Sequence, residues 1–241
     1  MLKLPQVTLL VADNVNPGLM RLALDDALAQ CEFGAVLLFA HEDLLAASPL
    51  GHRWVPWTDA TKVSPEELLW RVAPIYIETS HALVLHWDAG VLNPRCWTDD
   101  YLAYDYIGAP WWYADGRNVG NGGFSLRSAR LMKHLWEKRL PVISPEDDTL
   151  CRGYRRALEA RGFKWAPDPL AARFAYECVP VAHSTFGFHA MRNWPRAYQG
   201  KALRERVNLA LQSDHVRRTA TPDDQRLLAQ LGEQLGLTAL A

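Results

Sequence analysis

An α/β fold follows from three features of the chain. Apolar, β-branched runs recur at residues 7–12, 35–40 and 82–85, and a helical period with start and stop signals joins the first two. The 241 residues, 49% of them hydrophobic, can bury one sizeable core as a single domain or as a domain with a small appendage. The formal charge of −1, from 26 basic and 27 acidic residues, offers no field that would recruit nucleic acid or an anionic membrane. Every apolar run falls far short of the roughly 20 residues a bilayer span needs. The first residues lack the basic start and long apolar stretch of a signal peptide, so a cytoplasmic location is expected. Cys31, Cys96, Cys151 and Cys178 are widely spaced, with Cys31 and Cys151 expected in helices, so neither disulfides nor a zinc knot is expected.

Residues 7–12 read as a buried strand that ends in the turn chemistry of Asp13 and Asn14. Asn16 as N-cap and Pro17 at the first helical position open a helix with Leu19, Leu22, Ala23 and Ala27 on one face, running to Cys31 and stopped at Gly34. With residues 35–40 as the next strand, this is a β-α-β unit whose strands should be parallel neighbours. Its loops then lie at the carboxyl edge of the sheet, where ligands bind in open α/β folds. Asp13 is either a ligand there or a solvated turn aspartate.

Ser64-Pro65-Glu66-Glu67 is a capping box for a helix from Pro65 to about Val72, broken or kinked at Pro74. The strand at 82–85 runs into His86-Trp87-Asp88. A strand alternates faces, so His86 and Asp88 are expected to point the same way and Trp87 oppositely. Such a pair can share a divalent cation or a ligand's phosphates, or be a hydrogen-bonded structural pair. Residues 97–104 read as a short amphipathic helix. Trp111, Trp112 and Tyr113 follow in a row, lining a cleft or packing as an aromatic corner.

In Val119-Gly120-Asn121-Gly122-Gly123, three glycines around an asparagine allow positive φ and close approach of backbone to a ligand. The strand Phe124-Ser125-Leu126 leaves this turn, Ser128 caps a helix to about Lys138, and Ser144-Pro145-Glu146-Asp147 opens another to about Arg161, stopped at Gly162. Acids in a first helical turn are favoured by the macrodipole whatever their function, so Glu146, Asp147 and Asp148 are capping residues or a site. Residues 164–166 read as a short strand and 169–176 as a helical turn or two. From Lys201 on, Leu203, Val207 and Leu211 share one helix face. Thr221-Pro222 opens another helix with Leu227, Leu228, Leu231 and Leu235 on one side. The expected organisation is a domain of residues 1–200 and a helical appendage of 201–241. That appendage could pack on the domain, make a homodimer contact, or touch the inner face of a membrane.

Tyr104-Asp105-Tyr106-Ile107-Gly108-Ala109-Pro110-Trp111, then Val119 to Ser128, then Pro145-Glu146-Asp147, and finally Phe186-Gly187-Phe188-His189 together resemble a glycosyltransferase-like family of bacteria and fungi long catalogued as a domain of unknown function. The resemblance spans roughly residues 5–190. It implies a GT-A fold: one Rossmann-like domain that takes a nucleotide-diphosphate sugar, commonly a uridine one, at its first half and a carbohydrate or glycoconjugate acceptor at its second. Similar enzymes end the central strand in Asp-x-Asp, which holds Mn²⁺ or Mg²⁺. Here that position reads His86-Trp87-Asp88, a departure at the first acid that puts metal dependence in question. The resemblance implies Asp88 as metal ligand with His86 and His189, and Asp13, His86 and Asp88 on the donor. It also implies Trp111, Asn121, Gly122 and Gly123 at the acceptor, and Asp147 as the base with Glu146 beside it to hold the acceptor. One base and direct attack imply inversion of the anomeric centre. The competing reading is a non-catalytic sugar- or nucleotide-binding module that kept the fold. A hydrolase or nucleotide triphosphatase fits worse, because neither Gly-x-Ser-x-Gly nor a Gly-Lys-Ser/Thr loop ending is present.

Overall fold

The computed structural model describes residues 1–45, 51–58, 62–179 and 181–237. The expected α/β class is the one observed, a mostly parallel central sheet flanked by helices. Strand β1 (Leu2–Asp13) leads through helix α1 (Pro17–Gln30) into β2 (Cys31–Ala40), and the two strands pair in parallel. β3 (Arg53–Pro56) extends the sheet on one side. On the other, β4 (His81–Leu85) joins β1 in parallel after α2 (Pro65–Glu67). β5 (Gly90–Val91) leaves the sheet, β6 (Tyr106–Ile107) returns to its edge, and β7 (Phe124–Ser128) fills the gap antiparallel to both β4 and β6. The order is β3-β2-β1-β4-β7-β6. β1, β2 and β4 are legible as apolar runs because both faces are covered.

Several boundaries differ from the sequence expectation, each for a physical reason. α1 ends at Gln30, and Cys31 is the first residue of β2 rather than the end of a helix. Gly34 therefore lies inside β2, not at a helix stop. A Cβ there would stand 2.1 Å from the Pro5 carbonyl oxygen, so glycine is needed where β1 shifts register and its backbone comes close. The Ser64 capping box is present, with the Ser64 side chain accepting from Glu67 N, but only three residues are α-helical. A π-helical stretch, Leu68–Val72, and a 3-10 turn, Ala73–Tyr76, continue it past Pro74. Residues 97–104 form no amphipathic α-helix, because short 3-10 turns at Pro94–Cys96 and Asp99–Ala103 are started by the Asn93 and Thr98 side chains.

α3 (Ala129–Lys138) begins where expected, with Ser128 Oγ accepting from Leu131 N, a cap worth about 1 kcal/mol. The next helix does not. Ser144 makes no cap, the N-cap is Pro145, and the Ser144–Pro145 bond is cis. α4 (Glu146–Asp148) passes into a π stretch, Thr149–Tyr154, and then α5 (Arg155–Glu159), with Gly162 at positive φ beyond it. Residues 164–166 give a single bridge between Trp165 and Tyr106 rather than a strand. α6 (Asp168–Phe174) runs into β8 (Ala175–Tyr176), and β9 (Gly187–Phe188) completes a second sheet of order β5-β9-β8.

After α7 (Trp194–Ala197), the helices α8 (Gly200–Gln212), α9 (Asp214–Thr219) and α10 (Pro222–Gln234) turn their apolar stripe inward. Val207, Ala210, Val216, Leu228 and Leu231 share one core with Leu19, Phe188, Met191 and Trp194. Arg206 is buried by an ion pair to Asp26 and lies 3.7 Å over the Tyr198 ring. Ser213 Oγ also donates to Asn16 Oδ1 across 2.5 Å. Among the described residues, no helix is long and apolar enough to cross a membrane.

Candidate active site

The glycine loop and the acids one helix later meet. The Gly122 N–H donates to Asp147 Oδ2 at 2.7 Å, and Asp147 Oδ1 accepts from Asp148 N at 2.9 Å. Burial, then the charge of Glu146, raises the Asp147 pKa above the ordinary aspartate value, opposed by the Gly122 donor. Glu146 is held differently. Arg127 Nη2 and Nη1 donate to its two oxygens at 2.5 and 3.1 Å, and Trp70 Nε1 adds a third bond at 2.8 Å. Burial alone would raise the Glu146 pKa, but Arg127 and Trp70 hold it below the ordinary glutamate value.

The strand explains why Arg127 is there. Along β7, Ser125 and Arg127 face one side and Phe124 and Leu126 the other. Arg127 Nε donates to Ser125 Oγ, which donates to the Gly122 carbonyl, both at 3.0 Å. The π-helical stretch carrying Trp70 and the one after Asp148 pack through Trp70 and Tyr154, whose ring centroids are 6.1 Å apart. Both departures from α-helical geometry therefore flank the acid pair.

A second group lies on the other side of the loop. β4 ends at Leu85, so His86-Trp87-Asp88 forms a turn rather than a continuing strand. The His86 N–H donates to the Gly123 carbonyl at 2.9 Å. The second sheet finishes the construction: Tyr176 pairs with Phe188 in parallel, so Glu177 and His189 leave adjacent strands side by side. Because β5 pairs with β9, it brings the 86–88 turn to them. His189 Nε2 lies 3.2 Å from Asp88 Oδ1 and Nδ1 lies 3.3 Å from Glu177 Oε1. Burial opposes the charged imidazole, but Asp88 and then Glu177 raise its pKa well above the ordinary histidine value. Burial, then the His189 charge, lowers the His86 pKa to about 4.

His86, Asp88 and His189 each offer one ligand atom, and these atoms lie within 4.8 Å of one another. Two imidazole nitrogens and one carboxylate form a donor set that fits a divalent transition metal better than Mg²⁺, which prefers oxygen. A cation there would have to displace the proton that Asp88 and Glu177 favour on His189. Glu177 would orient His189 through its other nitrogen.

The remaining sequence candidates fall around this centre. Positive φ in the loop falls on Asn121, at 68°, and on none of its glycines. Asn121 Oδ1 accepts from Phe124 N and its Nδ2 lies 3.2 Å from His189 Nδ1. The glycines serve close approach. A Cβ on Gly123 would stand 2.1 Å from His189 Nε2, and one on Gly120 would stand 2.1 Å from the Trp111 ring. Gly123→Ala is therefore expected to push His189 off the cluster and weaken divalent-metal affinity by about 10–100-fold, read by metal titration calorimetry. Unchanged affinity would show that His189 is not a ligand. Trp111 is buried against the loop. Asp13 is also buried, and its Oδ1 accepts from Val15 and Asn16 N at 2.9 and 2.8 Å while burial raises its pKa. It borders a cavity of about 170 Å³ with Asn14, His41 and Glu42.

Another cavity, of about 180 Å³, is lined by Asp88, Glu177 and His189 and walled by Arg192, Thr219 and Asp224. Sequence reasoning passed over Arg127, Trp70 and Glu177. The Arg127 signal was available, since an arginine inside an apolar strand demands a buried acid partner. Glu177 carries no motif, and only strand pairing reveals it.

Fold and site together define a mixed α/β domain with a buried acid pair and a His-Asp-His cluster on either side of one glycine loop. Residues 66–189 match the family described as "Protein of unknown function (DUF5672)", and the chain belongs to that family. Among solved structures, it is similar to the galactosyltransferase LgtC in complex with donor and acceptor sugar analogs, at 14% identity and a TM-score of 0.45, over 92% of this chain and 99% of that one. An active-site mutant of LgtC is similar at 13% identity and a TM-score of 0.44, over the same shares. Among curated proteins, none shows significant similarity to this sequence.

Proposed function

We propose that the protein is a GT-A-type glycosyltransferase that moves a sugar from a nucleotide-diphosphate donor to an acceptor hydroxyl, with inversion and with Asp147 as general base. One observation carries the reading. Adjacent glycines touch both groups the chemistry needs, Gly122 through its bond to Asp147 and Gly123 through the His189 ring packed on its Cα. In this reading the donor lies along the carboxyl edge from Asp13 to His86 and Asp88, and the acceptor lies over Asn121, Gly122 and Gly123 beside Trp111. Asp147 takes the acceptor's hydroxyl proton while the oxygen attacks the anomeric carbon and the nucleotide diphosphate departs. Glu146, with both oxygens engaged, holds the loop and the first turn of α4 in place rather than binding the acceptor directly. A divalent cation on His86, Asp88 and His189 would neutralise charge on the departing diphosphate.

The test is a thermal-shift screen against UDP, GDP, CMP and ADP, each with Mn²⁺ and with EDTA. UDP with Mn²⁺ is expected to stabilise by about 2.7 kcal/mol at a hundred times its dissociation constant, and EDTA to abolish the shift. If no nucleotide shifts the transition with or without metal, the transferase reading is wrong.

A further inference from the structure

Beside the site stands an aromatic surface of which the chemistry above uses only Trp111. Trp111, Trp112 and Tyr113 are consecutive, yet Trp111 is 9% exposed and Trp112 is 65% exposed. They begin an excursion whose two ends are stapled by the Pro110–Val119 bridge and the Trp111 N–H bond to the Asn118 carbonyl, 2.8 Å. Trp112 lies 5.4 Å from Tyr113 with rings tilted by 35°, and Tyr113 meets Trp111 edge-on at 5.9 Å. The Arg152 guanidinium sits 4.0 Å over Tyr113 and donates to both Asp115 oxygens and to the Arg117 carbonyl. Asn118 Nδ2 is bonded to Asp168. The excursion is thus braced on three sides, and Trp112 is an indole held out into solvent by a built support.

Two connections tie this ledge to the proposed acceptor side. Trp111 packs on Gly120, two residues before the glycine that bonds Asp147. Arg152 lies five residues after Asp147, in the α-then-π run that begins with the acids. In the transferase reading, these two contacts put the ledge where further units of a longer acceptor would run. Trp112 offers a flat apolar face for a sugar's C–H side, while the Asp115 carboxylate, the Arg117 carbonyl and Asn118 Nδ2 are engaged in holding it out.

We infer that Trp112 is the stacking platform of a distal acceptor subsite, so that the acceptor is an oligosaccharide or glycan chain rather than a monosaccharide. This rests on the transferase reading for the word acceptor, but the binding it describes does not need turnover or donor. The experiment is a glycan array probed with the wild-type protein, followed by fluorescence titration of the strongest oligosaccharide and its terminal monosaccharide against wild type, Trp112→Ala and Trp112→Phe. The oligosaccharide is expected to bind Trp112→Ala about tenfold more weakly, the loss of one stacked apolar face. Trp112→Phe should recover most of the affinity, and the monosaccharide should not distinguish the three proteins. Because Trp112 is exposed, all three should unfold at the same temperature. Equal oligosaccharide affinity in wild type and Trp112→Ala would overturn the inference. So would an array with no oligosaccharide bound, or a Trp112→Ala effect confined to self-association measured by light scattering. Oligosaccharide binding through Trp112 in a protein that binds no nucleotide would keep the subsite and remove the transferase.

Discussion

Asp147→Asn is expected to lower turnover by about 10²–10⁴-fold, the usual worth of a general base, while leaving nucleotide binding intact. The substitution is well suited to the geometry. An asparagine oxygen still accepts from the Gly122 N–H, and only the bond from Asp148 N is put at risk. The pH dependence gives a second readout. A base works deprotonated, and Asp147's pKa is raised by burial and by Glu146. The wild-type rate should therefore fall as pH drops through a value above that of an ordinary aspartate, and the asparagine variant should lose that acid limb. Sugar-transfer rates from pH 4 to 9 decide the matter. Asp147→Asn turning over at the wild-type rate removes Asp147 as base. A wild type that binds nucleotide and never turns over would leave the binding-module reading in its place.

The largest stability loss is expected from Glu146→Gln. Arg127 is 1% exposed, and the glutamate is its charge partner. Removing one member of a buried pair leaves the other charge uncompensated, at a cost of about 3–5 kcal/mol. For a chain of this length that is roughly 6–20 °C in Tm. Replacing both residues by methionine should be much less costly, since no charge is then left unpaired. Glu146's pKa is depressed in the folded state, so the pair's contribution is fully present above the unfolded glutamate value and is lost as pH falls through the folded one. Urea unfolding of the single and double variants at pH 7 is the measurement. A single variant within 1 kcal/mol of wild type would mean that water already reaches the pair.

What was legible in the chain was what is decided locally or by burial on both faces. β1, β2 and β4 stand out as apolar runs, and Ser64, Ser128 and Thr221 cap their helices through bonds three residues away. The carboxyl edge of the sheet was legible for the same reason, because the β-α-β unit dictates where Asp13 must lie. The cluster's assembly was not. β5, β8 and β9 are two residues each, with no periodicity to read, and they exist only because they pair with one another. Gly34 was misread because its reason, the Pro5 carbonyl, lies 29 positions earlier in the chain, on a neighbouring strand. Glu146's partners, Arg127 on β7 and Trp70, were not legible because they lie 19 and 76 positions away in the chain.

The two glycines between Asp147 and His189 act as a ruler. Successive Cα atoms across a trans peptide are about 3.8 Å apart, and no packing rearrangement alters that length. The separation between the proposed proton acceptor and the proposed metal cluster thus spans one hydrogen bond, one Cα–Cα step and one ring-on-backbone contact. The cavity wall at Thr219 of α9 can shift without disturbing this chain of contacts, whereas a shift of α4, which carries Asp147, would break it.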